Sequence, residues 1–556
     1  MEKLKKIANK ELLIDLISYS KGYRKQVFVV TLLKTINSLA SIAIALTMKN
    51  IIDAAIDKNL DIVSRFGILV VIALIGKLIL SKFTGVYTIN FSETMYNNLQ
   101  YKAIQNYYKN TWLFMNQYNT GDLLTRSSND VSKIVGIYAS TLPNIITLLT
   151  QLIVAFLVLS RYDPLIALIA FIISPATFLI SYLLGNKLKQ YQADILTAKS
   201  ELSSFKNESI KNMDLIQAFN AEDQTFIKLK YFQDTKKGLI IKKSIVSAVA
   251  KGIIDLGFTF GFLAAVLIGA YKLYNGEISF GTFTAFSQLV SFIQSPIQGL
   301  AKTLPSTITV LSAVERLSEF NQFTQTKMQE KSNKETKINH LIFENVSFTY
   351  DDNQYILVAI DLSINFEETV ALIGKSGQGK TTFLRLIMAM IQPTHGSVQL
   401  ATNIGNLRIS QNTRDLFSYV PQKNRLFSGS IYENLLVANP NATVKEVDTA
   451  LEVACCKEFI DQLPHKLETS VNDRQHGLSE GQIQRICIAR ALVHNTPYII
   501  LDEATSALDE ETEKIILNNI SQLLNKSIII VTHKSSVLEY CDSVYKISSK
   551  KITKVS

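Results

Sequence analysis

Apolar runs long enough to cross a bilayer recur through the first 300 residues of this 556-residue chain. About 20 consecutive apolar residues, rising about 1.5 Å each as a helix, cover the roughly 30 Å of a hydrocarbon core. Spans are expected at residues 28–50, 65–88, 137–160, 163–185, 247–272 and 280–300. Six spans return the chain to its starting side. The connections differ in length: residues 51–62, Arg161 with Tyr162, and Asn275 to Ser279 are short, whereas residues 89–135 and 186–245 are long and helically patterned. By the span count both long connections lie on the N-terminal side, so two arms project there.

Beyond about residue 320 the pattern changes. Residues 321–339 crowd Gln, Thr, Lys, Glu, Ser and Asn together and read as a linker. Strand-length apolar runs then alternate with helical stretches, at Ile342 to Phe348, Thr369 to Ile373, Tyr498 to Leu501 and Ser527 to Val531. That alternation predicts a mostly parallel α/β domain. The expected division is a six-helix, all-α transmembrane domain at 1–320, a linker at 321–339, and an α/β domain with a helical subdomain at 340–556.

Composition agrees with a membrane protein, with 47% hydrophobic and 19% charged residues. Residues 1–25 hold seven basic and three acidic groups, but residues 51–61 hold Asp53, Asp57 and Asp61 against Lys58 alone. The positive-inside rule therefore makes the N-terminus cytoplasmic. The formal charge of +10 is explained by such basic flanks, and no nucleic-acid partner is expected. No secretory signal is evident before the first long run, and the start reads as a retained interfacial helix. Cys455, Cys456, Cys487 and Cys541 form neither a disulfide framework nor a C-x-x-C motif, so a reducing setting is expected for that end. The six histidines show no metal-ligand spacing.

The chemistry is concentrated in the second half. The strand Thr369 to Ile373 runs into Gly374, Lys375, Ser376, Gly377, Gln378, Gly379, Lys380, Thr381 and Thr382, the G-x-x-x-x-G-K-[ST] phosphate loop in its strand-to-helix setting. Its glycines allow a tight turn of backbone N–H groups, Lys380 can reach the β- and γ-phosphates of ATP, and the Thr381 hydroxyl can ligate Mg²⁺. Asp502, ending the apolar run from Tyr498, is placed to hold Mg²⁺, and Glu503 to orient or deprotonate a water. His533 follows another strand and can contact the γ-phosphate and the water.

The ordered set resembles the ATP-binding-cassette proteins. Leu478-Ser479-Glu480-Gly481-Gln482, followed by Gln484 and Arg485, resembles their signature motif and lies 24 residues before Asp502. The resemblance implies that Tyr350 stacks on adenine, that Gln422 is the Q-loop glutamine touching Mg²⁺ and the arms, that Ser506 to Asp509 form the D-loop, and that His533 is the switch histidine. It further implies an exporter-type half-transporter, in which Ser479, Gly481, Gln482 and Asp509 serve nucleotide bound across a dimer interface. Gln117 to Asp130 resembles the first coupling region, at the turn of the first arm, and Glu208 to Glu222 resembles the second arm as it returns toward the membrane. Two departures stand out. Glu480 replaces the usual third signature glycine, and Val471-Asn-Asp-Arg-Gln475 replaces a usual glycine- and glutamate-containing element, with Asp473 still acidic.

The expectation is an ATP-hydrolysing subunit in the plasma (inner) membrane, working with a second half-transporter. A homodimer is simplest and a heterodimer stays open. The cargo would be a lipid, a hydrophobic drug-like compound or a small peptide. An importer on the same fold, or an ATP-regulated scaffold or sensor, is the alternative. Lys77, Lys251, Asp255, Gln288, Ser291, Ser295 and Gln298 interrupt the apolar runs and are the internal clues to a pathway.

Overall fold

A computed structural model describes residues 10–320, 337–351, 354–423, 425–471 and 477–555. Most of the expected linker, and the Asp473 segment, lie outside these residues. The chain divides into two compact units, Met1–Tyr108 with Asn119–Gln322, and Lys109–Tyr118 with Phe323–Ser556.

The first unit is helical. Its long helices are Arg24–Ile56, Leu60–Lys109, Pro164–Lys211, Glu222–Tyr274 and Phe280–Ser318, and a sixth stretch, Thr120–Tyr162, is broken by π-helical turns at Arg126–Asp130 and Ile137–Thr141. Among the described residues four are long and apolar enough to cross a membrane: Arg24–Ile56, Leu60–Lys109, Thr120–Tyr162 and Glu222–Tyr274. Pro164–Lys211 and Phe280–Ser318 have the length, at 48 and 39 residues. The helix count exceeds six, because short helices at Lys10–Tyr19 and Met213–Ala218 accompany the long ones.

Between Ile68 and Ile89 the second long helix exposes Ile72, Ile75, Leu78, Ile79, Phe83 and Val86, an apolar surface suited to lipid. The inward faces form two cores. One gathers Met95, Ile134, Ala313 and Val314, and the other Leu159, Ile166, Phe286, Leu289 and Ile293.

Charges at the helix ends are tied in pairs. Asp163 caps the Pro164–Lys211 helix through the Leu165 and Ile166 amides at 2.9 and 3.1 Å and ion-pairs with Lys272. Asp53 accepts from Ser279 Oγ at 2.9 Å and from the Gly281 amide at 2.8 Å. Fully buried Asp130 accepts two bonds from Arg316, at 2.7 and 2.6 Å, and one from Lys133 at 2.8 Å. Arg126 bonds Asp122 at 2.9 Å and pairs with Glu319. This corrects the expectation that Gln117 to Asp130 is the turn of the first arm. The short helix is Trp112–Met115, capped by Thr111, and it groups with the second unit. Arg126 and Asp130 instead bind the end of the Phe280–Ser318 helix.

In the second unit a six-stranded sheet runs in the order Lys551–Lys554, Ser543–Ser548, Thr369–Ile373, Ser527–Val531, Tyr498–Asp502, Phe417–Val420. All neighbours are parallel except the Lys551–Lys554 edge. Alternation along the strands sends Ile499, Leu501, Ile528 and Ile530 to one core and Tyr498, Ile500, Ile529 and Val531 to the other. The second core is closed by the Lys380–Ile387 helix and by an antiparallel sheet of Tyr355–Asn365, Ile338–Thr349, His395–Thr402 and Gly405–Arg408. The expected strands Thr369 to Ile373 and Ser527 to Val531 match the observed ones, whereas the first strand starts at Ile338, inside the expected linker.

Candidate nucleotide site

Strand register builds the site. Asp502 lies opposite Val531, and Val531 opposite Leu372, so three adjacent parallel strands end together. The pairing continues one residue further, with the Glu503 amide donating to Val531 O at 3.0 Å and the Thr532 amide to Leu372 O at 3.3 Å. Asp502, Glu503, His533 and the start of the phosphate loop therefore converge at the carboxyl edge of the sheet, where ligands of open α/β sheets bind.

The loop turns through Gly377 and Gly379, at φ 80° and 104°, a region costly for other residues. Gly379 then leads into the Lys380–Ile387 helix. Lys380, nearly buried, donates to Gly374 O at 2.7 Å. A cavity of about 260 Å³ is lined by Tyr350, Ile356, Ser376, Gly377, Gly379, Lys380, Thr381, Thr382, Gln422, Asp502 and Glu503. The Tyr350 hydroxyl is bonded with Thr382 Oγ1 at 3.2 Å and accepts from Arg385 at 2.9 Å, which fixes its ring at the cavity wall.

Glu503 adopts φ 52°, a strained conformation for a residue with a side chain. Its Oε2 accepts from Gln422 Nε2 at 2.8 Å, and Oε1 lies 3.1 Å from His533 Nε2. That same nitrogen is 2.9 Å from Lys380 Nζ. In any one tautomer this nitrogen can accept from the ammonium or donate to the carboxylate, but not both.

Burial pushes the Asp502 carboxyl above its ordinary range, and the neighbouring Glu503 charge adds to this against the bond from Tyr419 and the charges of Lys380 and Arg385. Burial lowers Lys380 against the pull of Glu503 and Asp502. Two carboxylates side by side, one buried with a single tyrosine bond at 3.2 Å, suit a divalent cation. Thr381 and Gln422 line the same cavity and complete a donor set of oxygens. Mg²⁺ is commonly held by one or two carboxylates together with substrate phosphates, which such a set would suit.

Not every expected residue meets at this cavity. Gly374, Lys375 and Gln378 belong to the loop but not to the lining. Ser479 and Gln482 form a reciprocal capping box, Ser479 Oγ accepting from the Gln482 amide at 3.2 Å and Gln482 Oε1 from the Ser479 amide at 2.9 Å. Glu480 is exposed in the first turn of that helix. Gly481 packs against the D-loop, where a Cβ would come 3.0 Å from Ala507 O. Asp509 caps the Glu510–Ser521 helix through the Thr512 amide at 2.9 Å.

Three further residues position the site; the sequence names Gln484 beside the signature but gives it no role, and it leaves Tyr419 and Arg385 unmarked. Gln484, fully buried, accepts from the Ala507 amide at 3.0 Å and reaches Glu503 O at 3.4 Å, tying the Glu480–Val493 helix to the Glu503 turn. Tyr419 holds Asp502, and Arg385 holds Tyr350 while its guanidinium stacks 4.0 Å from the Trp112 ring. Their nearest signal was position: Tyr419 shortly before Gln422, Gln484 just after the signature, Arg385 one turn into the phosphate-loop helix.

Comparison with known proteins agrees with this architecture. Residues 27–297 match the family described as ABC transporter transmembrane region, and residues 357–506 the family described as ABC transporter. The chain is 27% identical over 541 residues to the uncharacterized ABC transporter ATP-binding protein YknV of Bacillus subtilis, covering 95% of this chain and 89% of that protein. It is 28% identical to YgaD of the same organism, provisionally named a multidrug export ATP-binding/permease protein, over 95% and 93% of the two chains. It is 30% identical to the lactococcin-A transport/processing ATP-binding protein LcnC of Lactococcus lactis, over 79% of this chain and 61% of that protein. With a membrane region and an ATPase domain fused in one polypeptide, the chain belongs to the ABC transporters and is a membrane protein whose ATPase is coupled to transport.

Proposed function

We propose that two copies of this chain form an exporter of hydrophobic or amphipathic compounds in the cell membrane, with the nucleotide unit cytoplasmic. The observation that carries the catalytic part is the Glu503 carboxylate, held by Gln422 and set beside His533 and Lys380 in the nucleotide cavity. Cargo class rests on relatives, one named for multidrug export and one for lactococcin-A transport. Pairing rests on chemistry. Ser479, Gly481, Gln482 and Asp509 do not line the cavity of their own unit, and a second copy presenting them would close it over the γ-phosphate.

In this reading the Tyr350 ring supports the base, and Lys380 with the loop amides orients the β- and γ-phosphates. Glu503 takes the proton of the attacking water, while Gln422 and His533 fix the direction of its carboxylate. Mg²⁺, held by Asp502, Thr381 and Gln422, would supply charge neutralisation at the phosphates. Closure of the paired units draws the arms together and turns the helical units outward, and hydrolysis resets them.

The test is Glu503→Gln in proteoliposomes. ATP binding should persist while ATP-driven movement of a fluorescent amphiphile stops. Movement at the wild-type rate would overturn the reading.

A further inference from the structure

Between three membrane helices runs a ladder of polar side chains that the nucleotide chemistry does not use. Lys34, Asn37, Ser38 and Ser41 stand at i, i+3, i+4 and i+7 and so share one face of the Arg24–Ile56 helix. Lys34 Nζ donates to Asn144 Oδ1 at 2.9 Å, Thr35 and Thr147 hydroxyls meet at 3.3 Å, and Ser38 Oγ donates to Gln151 Oε1 at 2.7 Å. Residue numbers rise together across these rungs, so the two helices run parallel. From the Leu60–Lys109 helix, Lys77 Nζ donates to Ser41 Oγ at 2.7 Å. Asn37 Oδ1 is buried and has no hydrogen-bond partner among the described residues.

Both ammonium groups thus rest on neutral oxygens. Residues 24–52, 62–92 and 131–162 contain no Asp or Glu, and among the described residues neither Lys34 nor Lys77 forms an ion pair. Lys272, at a helix end, pairs with Asp163 by contrast. An uncompensated cation inside hydrocarbon is costly, and a lysine normally escapes by reaching for the interface. Lys77 cannot do so: Ser41 lies 17 residues from Arg24 and 15 from Ile56, more than about 20 Å from either helix end at about 1.5 Å per residue. Both lysines are only half-buried, so a ligand can reach them.

We propose that this ladder binds the anionic head group of the transported amphiphile, a phosphate, sulfate or carboxylate on an apolar tail. The proposal rests on the exporter reading and names its substrate class. Lys34 and Lys77 supply the counter-charge about 10 Å apart along the helix axis, the seven-residue separation of Lys34 and Ser41. Asn144, Gln151 and the Ser and Thr hydroxyls solvate the remaining oxygens, and the apolar helix surfaces take the tail.

The test measures binding without ATP, using the full chain in nanodiscs of zwitterionic phosphatidylcholine. Three fluorescent probes share one tail and carry a monophosphate, a neutral hydroxyl or a trimethylammonium head. Wild-type protein should bind the phosphate probe at least tenfold more tightly than the other two. Lys34→Gln with Lys77→Gln should remove that preference, and Lys34→Arg with Lys77→Arg should keep it. Equal affinity of wild-type protein for all three heads, a preference that survives the double Gln change, or an equal loss for all three probes would each overturn the proposal. So would Asp255→Asn removing the preference as fully as the Gln pair, which would mean that the lysines pair with a carboxylate of a second copy. Head-group preference without ATP-driven movement would instead sink the exporter reading and leave this site standing.

Discussion

The helix ends of the first unit and the nucleotide cavity of the second place charge in opposite ways. In the helical unit the charges at helix ends are closed into pairs: Asp163 with Lys272, Asp130 with Arg316 and Lys133, Arg126 with Glu319. In the nucleotide unit the corresponding groups are left in excess, with Asp502 and Glu503 adjacent and His533 shared between Glu503 and Lys380. Paired charges hold a frame, whereas charges with spare capacity can take a new partner during a reaction. On the proposed reading, the first set stabilises the helical unit and the second carries the ATP chemistry.

That separation can be broken by experiment. Glu503→Gln should lower ATP turnover by about 10²- to 10⁴-fold, the usual weight of a general base, with little change in thermal unfolding. A large loss of stability would make Glu503 a frame residue instead. Arg316→Met should do the reverse. It strands the buried Asp130 carboxylate with Lys133 alone, costing about 3 kcal/mol in unfolding of the membrane unit while ATP affinity is kept. Gly481→Ala sharpens the comparison inside the nucleotide unit, since its Cβ presses on Ala507 O at 3.0 Å and should cost about 1–2 kcal/mol, read as a lower unfolding midpoint. Ser479→Ala loses a helix cap and should cost about 1 kcal/mol.

The smallest effect has a definite sign. Because burial raises the Asp502 carboxyl above its ordinary value of 3.8, its contribution to folding is present below that pH and is lost as pH rises through the folded value. Asp502→Asn, which can still accept from Tyr419, should therefore be more stable than wild type at about pH 8. The gap should close toward about pH 4, and a gap constant with pH would contradict the assignment.

Legibility in the sequence followed the same division. Backbone register carries Asp502, Glu503, His533 and the phosphate loop to one sheet edge, and register is written in contiguous strands and motifs, so these positions could be named in advance. Side-chain contacts across helices leave no such trace. The Lys34–Asn144 and Ser38–Gln151 rungs join residues more than a hundred positions apart through common polar types. The turn of the first arm lies elsewhere for a related reason: Gln117 to Asp130 is polar and motif-like, but its charges serve Arg316 and Glu319, while the compact helix at Trp112–Met115 is apolar and carries no motif. The roles of Tyr419 and Gln484 are illegible in the sequence because each acts through side-chain bonds to residues distant in the chain.

The most direct measurement is ATP-driven movement of a fluorescent amphiphile in proteoliposomes, recorded for wild type and Glu503→Gln side by side. The account predicts movement that needs ATP and Mg²⁺ in the first and none in the second, despite retained ATP binding. Equal movement in both, or ATP hydrolysis by wild type with no amphiphile moved, would contradict it.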